Sequence, residues 1–212
     1  MADENLLLFE GKDEQHVFGS LLNHHGIAKG IIKFDPPFDG IDDLLEAFPL
    51  YLRSNEVKRL GIVVDADIDI SPRWQSIRNI LIANGYKNAP KSPSPEGAII
   101  ELADRSLVSV PKVGVWIMPD NKLPGMLENF VSFLGATTDP LWNIADECLK
   151  HIPEEHRRFK ESQQIKARLH TWLAWQKKPG TPLGQAITAK FLDADAPHAR
   201  QLIQWIRRLF DL

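Results

Sequence analysis

Short apolar runs of strand character alternate with stretches of helical spacing over the first ninety residues, and this alternation restricts the chain to an α/β fold. LLLFE (6–10) precedes DEQHVFGSLLNHHG, where Val17, Phe18, Leu21 and Leu22 repeat at helical intervals and Gly26 acts as a stop. GIIKF (30–34) precedes the turn-rich PPFDG and then IDDLLEAFPLYLRS (41–54), in which Pro49 marks a kink or boundary. LGIVVD (60–65) precedes SPRWQSIRNILIANGY (71–86), with Ser71 as N-cap, Pro72 at the first helical position and Gly85 at the end. The order β-α-β-α-β-α predicts a parallel sheet with right-handed crossovers and helices on its faces. After the surface loop NAPKSPSPEG (88–97), GAIIEL (97–102), SLVSV (106–110) and GVWIM (114–118) read as strands, the first two joined by a hairpin-like ADR. PGMLENFVSFLG (124–135) reads as a helix with Pro124 near its start.

From about residue 140 onward the pattern is helical, and four of the six tryptophans lie there. The expected organisation is an α/β core over 1–139 and a helical C-terminal cap over 140–212 packed on it. The 212 residues are 43% hydrophobic and 25% charged, which is enough apolar material for a substantial core without disulfides or structural metal. A net charge of −3 supplies no global basic field, so nucleic-acid binding would need a local basic face. The lone cysteine, Cys148, excludes an intrachain disulfide and reads as a small buried hydrophobe. That usage fits a reducing cytoplasm. MADENLLLFEG does not read as a signal peptide, and no apolar stretch approaches 18 residues, so no membrane span is expected. Nothing in the pattern opposes oligomerisation.

In open α/β sheets, ligands bind beyond the carboxyl ends of the parallel strands. Two carboxylate clusters fall at such ends. Glu10 closes the first strand, with Glu14 one turn into the following helix; Asp65, Asp67 and Asp69 follow the third. If those strands are neighbours, Glu10 and Asp65 meet. Carboxylate-only clusters suit hard cations, and Mg²⁺ or Mn²⁺ matches that donor set better than zinc. The bland alternatives are a solvated DxDxD loop and a helix-capping Glu10. His24-His25 reads as a helix C-terminus rather than a metal site. Asp120-Asn121 is either a ligand or the centre of a Pro-Asp-Asn turn.

EGKDE (10–14) after an apolar strand, followed by VVDADID (63–69), resembles the Toprim domain of topoisomerases, primases and OLD-family nucleases. Its signature is a glutamate after the first strand and DxD after the third, here Glu10 with Asp65 and Asp67. The EGxxD/E pattern of OLD-type members places Glu14. The element Leu127-Glu128-Asn129-Phe130, within GVWIMPDNKLPGMLENFV (114–131), and the tail KARLHTWLAWQKKPGTPLGQAI (166–187) are similar to a bacterial Toprim-like subgroup. IDISPRW departs from the topoisomerase continuation and favours the OLD-like branch.

The resemblance implies a metal-dependent nuclease. Glu10 would be a metal ligand or general base, Asp65 and Asp67 would hold Mg²⁺, and Asp69 would lie in an outer position. Glu14 and Glu128 would complete a second metal position. A C-terminal lysine offsets transition-state charge in OLD-type enzymes; here that is Lys166, whose alternative is one position in a surface stripe. Arg157, Arg158, Lys166, Arg168, Lys177 and Lys178 form the candidate nucleic-acid face, for DNA before RNA. Trp172, Trp175 and Trp205 either stack bases or fill the core. Related nucleases work with ABC/SMC-like ATPases in phage defence or DNA repair; with no GxxxxGK(S/T) here, such an ATPase would be a separate partner. The competing reading is a catalytically silent Toprim-like module binding a metal or nucleotide. Phosphatase-like chemistry on small phosphoesters ranks last, because no further motif supports an aspartyl intermediate.

Overall fold

The computed structural model describes residues 4–102 and 110–212. Among these, five strands form one sheet, β1 (Glu4–Phe9), β2 (Lys33–Phe34), β3 (Val57–Asp65), β4 (Ala98–Ile100) and β5 (Lys112–Met118), in the order β2-β1-β3-β5-β4. β2, β1, β3 and β5 run parallel, and β4 pairs antiparallel with β5 at the edge. Helices α1 (Lys12–His24), α2 (Ile41–Leu52) and α3 (Ile70–Ala83) are the crossovers between the first strands. The chain is therefore α/β, a mostly parallel sheet flanked by helices with a helical C-terminal extension, consistent with a Toprim-like fold.

Strand alternation divides the core in two. Leu6, Leu8, Ile62, Val64, Val115 and Ile117 face α2 and α3. Leu7, Phe9, Val63, Trp116 and Met118 face α1 and the helices that follow β5. Those helices are α4 (Leu127–Ser132), α5 (Pro140–Lys150), α6 (Gln164–Ala174), α7 (Leu183–Thr188) and α8 (Pro197–Phe210). α8 lies directly against the sheet, because Gly61 and Gly114 leave room for its side chains. A Cβ at Gly114 would meet Leu209 Cδ2 at 2.5 Å and Trp205 Cζ2 at 3.0 Å. The Trp205 indole N–H donates to the Ala98 carbonyl at 3.2 Å, tying α8 to the β4 edge.

Several boundaries differ from the sequence expectation. The second strand shrinks from 30–34 to two residues at the sheet edge. The α3 N-cap is Asp69, whose Oδ1 accepts from the Ser71 N–H at 2.9 Å, and the helix begins at Ile70. Pro49 lies inside α2. α4 covers only the middle of 124–135, because Gly125 (φ 138°) and Gly135 (φ 116°) hold conformations that a helix cannot use. Cys148 is exposed, not buried. The buried stripe of α5 runs through Trp142, Ala145 and Leu149, and Cys148 lies one residue, about 100°, off it. The hairpin ADR and residues 106–109 of the expected strand SLVSV lie outside the described residues. No helix among the described residues is long and apolar enough to cross a membrane.

Candidate metal centre at the strand ends

β1 and β3 are neighbours, with Phe9 opposite Val63, so Glu10 and Asp65 leave the sheet side by side. The Asp65 N–H donates to Glu10 Oε1 at 2.8 Å. The Asp65 carboxylate, in turn, accepts at Oδ1 from the Leu127 N–H, the first residue of α4, at 3.0 Å. This last bond links the third strand to the segment after β5. It brings Glu128, which is only 3% exposed, to the same end of the sheet.

Glu14 joins from the first turn of α1. Gly11 makes room for it: a Cβ there would come within 2.9 Å of Glu14 Oε2. Glu14 and Glu128 are both buried. Lys166, from α6, reaches the group with its Nζ 3.0 Å from Glu128 Oε1.

The electrostatics follow from crowding like charges in a poorly hydrated place. Burial pushes the Glu10 carboxyl from its ordinary 4.5 up to about 7, against the opposing pull of the Asp65 N–H and Arg73. Asp65 is raised well above the usual carboxylate range, first by burial and then by Glu10, Glu14, Glu128 and Asp67. Glu14 is raised by burial and further by Glu128. For Lys166, burial works to lower the ammonium pKa, but Glu128, Asp13 and Glu14 outweigh it and hold the pKa above its ordinary value.

Asp67 is arranged differently. The strand ends at Asp65, so 65, 67 and 69 do not share one strand face. Asp67 takes a left-handed conformation (φ 55°), with its N–H donating to the Gly125 carbonyl at 2.8 Å. Its side chain, about half exposed, pairs with Arg73 at 2.5 Å. Arg73 also donates from Nε to the Asp65 carbonyl at 2.7 Å, so it bridges both acidic positions. Sequence reasoning missed Arg73, although SPRW places a cation in the first turn of the helix after DxDxD. Asp69 is engaged as the α3 cap. Asp120 is engaged in a turn, its Oδ1 accepting from the Lys122 and Leu123 N–H groups at 3.0 and 2.8 Å. The turn reading of Pro-Asp-Asn thus accounts for it.

The donor set of Glu10, Glu14, Asp65 and Glu128 consists of carboxylate oxygens, which fits a hard divalent cation such as Mg²⁺ or Mn²⁺. The carboxyl pKa values are raised first by burial, and the repulsion between neighbouring carboxylates that adds to it is what a bound cation would relieve. The carboxylates do not form a closed cage, however. Among the described residues, the one group of three or more His, Cys, Asp or Glu side chains with ligand atoms all within 4.8 Å is elsewhere, at His24, His25 and Asp195. A more open arrangement suits Mg²⁺, which binds through one or two carboxylates and completes its shell with water and substrate oxygens.

Apart from Lys166, which pairs with Glu128, the candidate nucleic-acid residues separate into two groups. Arg157, Arg158, Lys177 and Lys178 are exposed. Arg168 is occupied: its guanidinium lies 4.2 Å from the Trp142 ring centroid, donates to the Trp142 carbonyl at 3.1 Å, and sits 3.6 Å from Asp146. It clamps α5 to α6 and is not available to phosphates. Trp172 and Trp205 are core residues, whereas Trp175 is 40% exposed.

A family model described as "Protein of unknown function (DUF3226)" matches residues 4–211. No curated protein and no solved structure matches the chain.

Proposed function

The chain belongs to the DUF3226 family, and from the geometry of its carboxylates we propose that it is a Mg²⁺- or Mn²⁺-dependent nuclease of Toprim/OLD type. One observation carries the reading: Glu10, Glu14, Asp65 and Glu128, from three separate strand-end segments, share one electrostatic cluster with Lys166 against it. The substrate class is a phosphodiester of DNA before RNA, met in the cytoplasm.

In this reading Glu10 and Asp65 hold the ion, with Glu14 and Glu128 beside them. The bound divalent ion supplies charge neutralisation for a phosphoryl displacement. Lys166 keeps a positive charge at the edge of the cluster, where it offsets negative charge gathering on a scissile phosphate. Arg73 restrains Asp67 and the Asp65 backbone, keeping the loop between β3 and α3 in place. The exposed Arg157, Arg158, Lys177 and Lys178 contribute phosphate contacts, and Trp175 offers an aromatic face for a base. A separate ABC/SMC-like ATPase, in phage defence or DNA repair, is part of the same proposal.

The test is cleavage of linear and single-stranded DNA with Mg²⁺ or Mn²⁺ by the wild type and by Asp65→Asn. Cleavage by the wild type that disappears in Asp65→Asn and in chelator supports the reading. Equal residual cleavage by both proteins refutes it.

A second reading, a silent Toprim-like module that binds a metal or nucleotide, draws on the lack of a closed carboxylate cage and on the capture of Asp67 by Arg73. Divalent-ion binding with no cleavage, even with DNA and ATPase partner present, would favour it.

A further inference from the structure

We propose that His24, His25 and Asp195 form a second metal site, for a borderline transition-metal ion of the zinc class, unrelated to the carboxylate cluster. The adjacent histidines alone read as a helix terminus, and α1 does end there, with His25 as its C-cap. Folding adds a carboxylate from a loop 171 residues away. One ligand atom from each of the three side chains then lies within 4.8 Å of the other two.

The loop that delivers Asp195 is built to hold it. The Asp193 N–H donates to the Leu134 carbonyl at 2.6 Å, and the Asp193 Oδ1 accepts from the Asp195 N–H at 2.8 Å. His25 is oriented as metal-ligating histidines usually are. Its Nε2 is 2.9 Å from the Ala194 carbonyl, which can only accept, so Nε2–H donates there and Nδ1 is the nitrogen left for an ion. The His25 carbonyl accepts from Arg207 at 3.1 Å, which anchors the backbone from α8. His24 Nε2 donates to Asp195 Oδ2 at 3.0 Å; an ion bound between them would take the place of that N–H proton, which leaves to solvent. Two imidazoles and one carboxylate with solvent access on the remaining side suit Zn²⁺, Ni²⁺ or Cu²⁺, whereas Mg²⁺ prefers all-oxygen sets. The ion would fasten the 193–196 loop to the end of α1.

Calorimetric titration with ZnCl₂, in buffer containing millimolar Mg²⁺ to engage the carboxylate cluster, tests the site. We expect one equivalent of Zn²⁺, with affinity at least about tenfold weaker in His24→Gln and in Asp195→Asn. Glu10→Gln should leave the zinc affinity unchanged. The His24 and Asp195 side chains are 45% and 50% exposed, so both variants should fold, and thermal melts in EDTA matching wild type would establish that. Wild-type melts should rise with Zn²⁺ and the variants' should not. Absence of stoichiometric binding, or binding lost in Glu10→Gln but kept in His24→Gln and Asp195→Asn, overturns the proposal.

Discussion

Glu10→Gln removes one charge from the strand-end cluster while preserving its shape. The glutamine Oε1 can still accept the Asp65 N–H that Glu10 accepts at 2.8 Å. Burial holds the Glu10 carboxyl at about 7 in the folded protein, against an ordinary 4.5. Between those values the folded chain keeps a proton that the unfolded chain has released. The stability contributed by this group is therefore complete below about pH 4.5 and is lost as pH rises through about 7. The loss corresponds to about 3 kcal/mol at pH 8. Glu10→Gln escapes that loss and also relieves Asp65, which Glu10 pushes up. In chelator at pH 8 the variant should be more stable than wild type by up to about 3 kcal/mol. For a chain of this length that is about 6–12 °C in Tm. Urea unfolding followed by tryptophan fluorescence at pH 8 and pH 4 reads both arms. At pH 4 the two proteins should agree to within about 0.5 kcal/mol. Coincident transitions at pH 8, or an undiminished gap at pH 4, would refute the claim that ionising the buried Glu10 costs the fold stability.

Millimolar Mn²⁺ at pH 8 should raise the wild-type Tm and leave Asp65→Asn unmoved; saturation at a hundredfold over Kd corresponds to about 2.7 kcal/mol. Lys166→Met leaves the buried Glu128 without its 3.0 Å partner and should cost about 1–2 kcal/mol by denaturant titration, together with any cleavage activity. Gly114→Ala drives a methyl into Leu209 and Trp205 and should destabilise the fold by about 1–3 kcal/mol, visible as a lower urea midpoint. Arg168→Met should loosen the α5–α6 contact without altering DNA affinity. Lys177→Glu/Lys178→Glu should weaken DNA binding and flatten its salt dependence in a filter or anisotropy assay.

The positions of Glu10 and Asp65 were legible because they depend on local rules. An apolar strand that ends in a carboxylate can be read from a few residues, and the βαβ alternation makes the first and third strand ends parallel. Their adjacency was conditional until the β1–β3 pairing was known. Glu128 was legible as an element of a motif, but its proximity to Asp65 depends on one bond, Leu127 N–H to Asp65 Oδ1, across 62 residues. For Lys166 the spacing favours a surface stripe slightly over the site, since helical spacing cannot say which neighbour a half-exposed lysine meets. Arg168, from the same basic run, went the other way because Trp142 lies under it.

By itself the sequence determined the fold class, the alternation of periods and the two carboxylates that close the first and third strands, all of which rest on contacts within one or two turns. Tertiary structure alone decided the rest. It set α8 against Gly61 and Gly114, buried Trp172 and Trp205, tied Asp67 to Arg73, and carried Asp195 to His24 and His25. The packing of α8 and of the two tryptophans depends on which surfaces exclude water together, which residues distant in the chain settle jointly; Arg73 meets Asp67 because the chain turns at residue 67, and Asp195 meets His24 because its loop is held against the end of α1.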